Sequence, residues 1–443
     1  MTTVHRAGPL FTDLYELTMA ASYYANRVFA PATFSLYIRP YRAERNFFVA
    51  AGLEQVLDEL ASFRFSAQDL NYLQTTGRFA ADFLAYLTQL RFSGQVYALP
   101  EGTIFFADEP VIEITAPIIE AQLLETFLLN TVGFQTMIAS KAARCFHAAA
   151  GRPLIDFSLR RTQGRDAGIK VARSTFLAGF EGTSNVLAGK IYGIPVSGTM
   201  AHSYISAFDS ELEAFAAYAD TFPNHSIFLI DTYNTLAGAQ NAAAVAKEMK
   251  QRGQALIGVR LDSGDMAGLS RKVRKILDDA GLHAVKIFAS SGFDEFKIAK
   301  VVSQGARIDA FGVGTKVGVS ADAPYVDIVY KMVRFNKRNV RKLSPGKSTL
   351  AGEKQVFRKS DREGRYLEDI IGLRNESMQD GRPLLEKVMA DGKILRAHPA
   401  LQAVQERFKK NFSSLDDRYK SIEDHIAYPV KLSRRLQELQ KTS

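Results

Sequence analysis

Between Pro153 and Lys316 the sequence repeats one unit: a short apolar run, a polar or glycine-rich turn, then an amphipathic stretch. The runs begin at Leu154, Ile194, Ile227, Leu256, Ile287 and Ile308, and the stretch from Leu236 to Gly253 between two of them has helical apolar spacing. Continuous apolar runs alternating with helices predict an α/β fold whose parallel sheet is covered on both faces. A (β/α) barrel and a doubly wound sheet both satisfy this, and both place their chemistry at the carboxyl ends of strands. Polar residues follow nearly every run, and a closed ring of loops lets all of them converge. A barrel is therefore preferred.

The 443 residues exceed the ~250 to 300 over which one hydrophobic core usually grows, so a second domain is expected. Its material lies at both ends of the chain. Residues 12–26 keep helical spacing behind Thr12 or Asp13 as cap, 96–117 alternate like short strands, and 118–150 return to helical spacing. After Tyr330 the repeat stops; 354–360 read as a strand and 400–412 as a helix. The expected division is 1–125 and 335–443 for the second domain and 126–334 for the barrel.

Charge is distributed unevenly. Residues 331–443 hold 26 Lys and Arg against 15 Asp and Glu, an excess of eleven, so the first 330 residues carry −2 of the net +9. The excess is densest in 331–347, which suits phosphate-rich ligands or an acidic partner; the structural alternative is a solvated edge strand carrying Lys and Arg against aggregation. No aromatic interleaving suggests base stacking, and nucleic acid is not an expected partner. A single cysteine, Cys145, excludes an internal disulfide and a Cys-based zinc site. No stretch approaches the ~20 apolar residues of a membrane helix, and Met1 to Leu10 lack the build of a secretory signal, so the expected location is the cytoplasm, away from membranes.

The turns after the runs hold the candidate site. In 311-FGVGTKVG-318, Gly312 and Gly314 allow close backbone approach to a ligand, Thr315 adds a hydroxyl and Lys316 a charge, as a phosphate cradle requires. Tight connection is the alternative. Ser290, Ser291 and Gly292 have the same character. Arg260, Asp262 and Asp265 place one cation and two carboxylates in a single turn, which is costly unless they face a ligand, a metal or one another. Asp262 and Asp265 suit sugar hydroxyls or Mg²⁺, a hard ion that prefers oxygen; Arg260 suits an anion. Asp231 adds a third acid unless it only caps a helix. Arg160 and Arg161 are a pair of phosphate clamps or, alternatively, members of a surface salt bridge, and His202 follows a Gly-Thr turn. No nucleophile-elbow or metal-hydrolase motif occurs, and the inventory points to a phosphorylated sugar substrate.

These turns carry a family resemblance. The segments 11-FTDLYELTMA-20, 100-PEGT-103, 157-FSLRRTQG-164, 198-GTMAHS-203, 230-IDTYNT-235, 258-GVRLDSGD-265, 312-GVGT-315 and 343-LSPGKSTLAGEKQVFR-358 resemble, in order, the nicotinate phosphoribosyltransferase family. The resemblance implies an irregular α/β barrel joined to an α/β sandwich. It also implies transfer of a phosphoribosyl group from phosphoribosyl diphosphate to nicotinate, with Mg²⁺, in the salvage of NAD. By that resemblance Arg260 and Thr199 hold the nicotinate carboxylate, Tyr15 stacks on its ring, and Asp231, Arg161 and Thr315 contact the phosphoribosyl group. His202 matches a histidine phosphorylated by ATP, a co-substrate, and Tyr15 reaches the barrel of a neighbouring subunit in a homodimer. The nicotinamide-specific sister enzyme is the alternative; it is expected to carry an acid where Met200 stands, and an acid there repels nicotinate.

Overall fold

The computed structural model describes residues 8–40, 45–344 and 348–442. Pro345, Gly346 and Lys347 of the basic segment lie outside the described residues, as do residues 1–7 of the segment read for a secretory signal. Two compact units emerge, one of residues 141–324 and the other of residues 1–140 with 325–443.

The first unit realises the repeat. Its six strands are parallel and lie in the order Gly182–Thr183, Leu154–Asp156, Ala310–Val313, Lys286–Ala289, Gly258–Leu261, Ile227–Leu229. The helix Thr235–Gln251 shows how a crossover seats itself. Asn234 caps it, its side-chain oxygen accepting from Leu236 N at 3.1 Å and Ala237 N at 3.0 Å. Most of its buried residues are small, Gly238, Ala239, Ala242, Ala243 and Ala246, joined by Val245 and Met249. A Cβ on Gly238 would stand 2.1 Å from the Ile230 carbonyl oxygen, so the helix approaches the strand end only as glycine.

One expected strand is nearly absent. Of the run from Ile194, only Val196 pairs, in a single parallel bridge to Thr183. Pro195 has no amide to donate, and Gly198 follows. No backbone pairing among the described residues joins Val196 to Ile227–Leu229, which is where the sheet is irregular.

The second unit explains why both chain ends are needed. In its seven-stranded antiparallel sheet, Pro31–Ile38 lies between Ile328–Phe335 and Pro110–Pro117, and Gln95–Ala98 pairs with Glu386–Ala390. A four-stranded sheet holds Lys354–Ser360 and Tyr366–Leu373, so the expected strand at 354–360 is present; the expected helix is Leu401–Ser414. Leu36, Ile114, Leu128, Tyr330, Val356 and Met389 share one buried core. The division falls at 140/141 and 324/325 rather than at 125/126 and 334/335. The physical reason is that Ile328–Phe335, where the repeat fades, pairs along Pro31–Ile38.

Candidate active site

Strand Gly258–Leu261 buries Val259 and Leu261 completely, and the two-residue alternation turns Arg260 to the other face. There its guanidinium is gripped on one edge: Nη1 donates to Thr199 Oγ1 at 2.7 Å and Nη2 to the Met200 carbonyl at 3.0 Å. Nε is buried with no hydrogen-bond partner among the described residues. Burial lowers the pKa of Arg260; Asp262 and Asp231 oppose the shift, and Arg160 adds to it. Arg160 and Arg161 are exposed, in the short turn Leu159–Arg161 after strand Leu154–Asp156.

The carboxylates are organised around the same strand end. Asp231 Oδ2 accepts from Asp262 N at 2.8 Å and from the Ser263 hydroxyl at 2.6 Å, which leaves its Oδ1 buried and unpartnered. Asp231 therefore caps a turn and still has an oxygen to offer. Asp262 accepts from the Ser290 hydroxyl through Oδ1 and turns Oδ2 toward His202 Nε2, 3.8 Å away. His202 Nδ1 is 3.0 Å from the Thr232 hydroxyl. Four separated turns thus supply three hydrogen-bonded groups, Arg260 with Thr199, Asp231 with Asp262 and Ser290, and His202 with Thr232, the last two brought together by the 3.8 Å approach of His202 to Asp262.

Asp265 stands apart. It is exposed at the head of helix Met266–Asp279, its carboxylate against Gly268. No group of three or more metal-capable residues occurs among the described residues. The donor set that fits a hard cation is Asp262 with the unpartnered oxygen of Asp231, the rest of the shell coming from substrate oxygens.

The two glycine turns differ in how they are built. A Cβ on Gly312 would meet the Phe157 ring at 2.5 Å, so that glycine serves packing. Gly314 precedes Thr315, which opens a four-residue helix, and the Lys316 charge is already answered by Asp294 at 2.5 Å. Ser291 holds φ +96° and Gly292 +61°. A serine there is strained, and the Lys297 ammonium braces it by donating to the Ser291 carbonyl at 2.6 Å. Burial, then Lys316, lowers the Lys297 pKa. Thr232, Ser263 and Lys297 were not singled out in the sequence. Their only sequence signal is position, inside or just beyond the turns that carry the acids and serines.

Tyr15 belongs to the other unit, in the first turn of helix Leu14–Ala25. It is not a core residue: it is 46% exposed. Burial, then neighbouring Glu125, raises the pKa of its hydroxyl, so the phenol stays neutral.

Comparison with known proteins gives the same reading along the whole chain. Residues 10–133 match the nicotinate phosphoribosyltransferase N-terminal domain, 153–365 the nicotinate phosphoribosyltransferase family, and 378–440 the corresponding C-terminal domain. A nicotinate phosphoribosyltransferase of Mycobacterium tuberculosis is 46% identical over 97% of this chain and 92% of that protein. The chain belongs to the nicotinate phosphoribosyltransferase family. A Bacillus subtilis member is 39% identical over 96% of this chain and 92% of its own length. The crystal structure of the human nicotinic acid phosphoribosyltransferase superposes with a TM-score of 0.87 at 29% identity, covering 97% and 99% of the two chains. As a family member the chain is a phosphoribosyltransferase, and residues 378–440 of the tail, which carries no motif, are included in the match. No helix among the described residues is long and apolar enough to cross a membrane.

Proposed function

We propose that this protein joins nicotinate to phosphoribosyl diphosphate, releasing diphosphate and nicotinate mononucleotide, with ATP spent to drive the transfer. The observation that carries the reading is Arg260: a guanidinium braced by Thr199 and Met200, with a buried Nε that has no protein partner. A carboxylate answers such an edge. Met200 is buried beside it and brings no negative charge, which favours nicotinate over nicotinamide.

The transfer breaks the C1–O bond of the sugar, whose electron pair leaves with diphosphate, while the pyridine nitrogen donates its lone pair to C1. No proton moves and no protein nucleophile is needed; orientation and charge placement are the work. Arg260 and Thr199 fix the carboxylate, so the ring nitrogen is presented at a set distance. Asp231 and Asp262 lie where oxocarbenium charge develops, and Ser290, Ser291, Gly292, Gly314 and Thr315 offer hydroxyls and amides to phosphate oxygens, with Arg160 adding charge. Asp262 and Asp231, rather than Asp265, would hold Mg²⁺, which would supply positive charge to neutralise the departing diphosphate. His202 accepts the γ-phosphoryl group of ATP on a ring nitrogen while ADP leaves.

Tyr15, exposed and with a neutral hydroxyl, serves the site of a second copy in a homodimer, in the cytoplasm. Co-refolded Tyr15→Ala and Arg260→Ala chains should then recover about a quarter of wild-type activity, since half the two-fold dimers are mixed and each mixed dimer has one intact site. The primary test is product analysis. The protein is incubated with phosphoribosyl diphosphate, Mg²⁺ and either pyridine, with and without ATP, and the mononucleotide is identified by mass. Nicotinate mononucleotide, increased by ATP, is expected; nicotinamide mononucleotide as the main product would sink the reading.

A further inference from the structure

The positive charge that begins at Lys331 is more than a solvated edge. Arg334, in strand Ile328–Phe335, and Lys337, in the turn after it, line a pocket of about 510 Å³ with Glu353, Arg374 and Asn375. The charges around this pocket do not balance. Glu113, fully buried, is met by Lys354 at 3.1 Å and by Arg374. Glu353 is met by Arg334 at 2.6 Å and by Arg374 at 3.4 Å. Lys337 is exposed and has no ion-pair partner among the described residues. Four cations thus surround two carboxylates.

Two of those cations are held in place with donors to spare. The Arg374 guanidinium lies over the Tyr97 ring, 4.1 Å from its centroid, and its Nε is buried without a partner. Arg334 is tied through Nε to the Asn336 carbonyl at 3.1 Å, and its Nη2 has no acceptor among the described residues. The buried Arg374 nitrogen without an acceptor is unfavourable until an anion arrives, and the free edge of half-exposed Arg334 matches phosphate oxygens.

We propose that this pocket binds a small phosphorylated anion, at a site built wholly from the antiparallel unit and independent of Arg260, Asp231 and Asp262. The surplus of two positive charges suits a phosphate dianion, and the Asn375 amide extends the donor set. The volume lies within the range of small-molecule sites. A polynucleotide is disfavoured because Tyr97, the one aromatic ring lining the pocket among the described residues, is already engaged by Arg374, with Lys387 also 5.8 Å from its centroid.

Isothermal titration of the full-length protein with diphosphate, inorganic phosphate and adenosine 5′-monophosphate reads the site. Wild type should take up two diphosphates per chain, one at the proposed catalytic site and one here. The Arg334→Gln/Lys337→Gln variant should keep the first and weaken the second by about ten-fold or more, as loss of charge-assisted contacts predicts, with its KM for phosphoribosyl diphosphate unchanged. Lys337→Gln alone, an exposed change that the fold tolerates, should weaken the second site by about three-fold, less than the double variant because one charge is lost. Adenosine monophosphate binding as tightly as diphosphate would assign a nucleotide phosphate, and diphosphate binding alone a free inorganic anion. Variant isotherms that superimpose on wild type overturn the proposal. If wild type has one site and the double variant loses it, the catalytic reading fails and this pocket stands.

Discussion

Two groups of charged residues in this molecule have similar composition and opposite character. In the antiparallel unit, Arg358 is 2% exposed and donates to Asp369, itself fully buried, through Nε at 2.9 Å and Nη2 at 2.5 Å. Tyr366 and Phe106 lie against the guanidinium, 4.3 and 5.5 Å to their centroids. Burial opposes the Arg358 charge, but Asp369 outweighs it and raises the pKa. Burial and the Asp369 charge raise the pKa of neighbouring Glu109 well above its ordinary value, so burial favours its protonated form. At the strand ends of the parallel unit, by contrast, the His202 and Asp262 side chains are 46% and 37% exposed, and no cation fully answers the acids. Buried, matched charge holds a fold; half-exposed, incompletely matched charge leaves room for a ligand. A dense charged turn in a sequence does not say which of the two it is.

The sharpest way to break that contrast is Asp369→Ala, which strands Arg358 in the core. About 3–5 kcal/mol of stability should vanish in urea unfolding, with catalysis per folded molecule unchanged. A loss below 1 kcal/mol would show that the pair is not what holds this sheet. At the strand ends the pattern should reverse. Arg260→Ala should weaken nicotinate binding by about 1.5–3 kcal/mol, read as KM, while the KM for phosphoribosyl diphosphate and the stability barely move. If the phosphoribosyl KM rises instead, Arg260 belongs to the other substrate.

Glu109 gives a smaller effect that depends on pH. Because its folded pKa is raised, both folded and unfolded states hold the proton below the ordinary carboxylate range, and the group's contribution is fully present there. As pH rises beyond it the unfolded chain releases the proton first, so stability falls until the folded pKa is passed. Glu109→Gln should flatten this decline between pH 4 and pH 8 in urea titrations. A steeper decline in the variant would mean that Glu109 is ionised in the fold. His202→Ala should do least to stability, within about 0.5 kcal/mol, because the ring is exposed. Its effect should lie in coupling: mononucleotide still forms slowly, ATP no longer helps, and acid-labile ³²P from labelled ATP appears in wild type alone. Equal labelling of both proteins would remove His202 from the mechanism.

Much of the architecture was legible because periodicity is local. The runs at Leu154, Ile227, Leu256, Ile287 and Ile308 each contribute a parallel strand, and the turns after them carry Asp231, Arg260, Asp262 and Ser290 into one neighbourhood. What failed was also local in origin: the run at Ile194 is apolar, yet Pro195 leaves it a single bridge, and the strand Ile328–Phe335 looked like the end of the repeat until its partner, 290 residues earlier in the chain, was in place.

The sequence by itself determined the fold class, the family and the chemical inventory of the turns, since hydrophobic period and motif order are properties of neighbouring residues. Only the tertiary structure decided how that inventory is used. It set Asp262 rather than Asp265 beside His202, left one oxygen of Asp231 and one nitrogen of Arg260 without partners, and assigned Gly312 to the Phe157 ring. It also separated exposed Tyr15 from the buried core around it. The reason is physical: whether a charge is paired, buried or open depends on atoms brought close by long-range packing, and spacing along the chain carries no record of that distance.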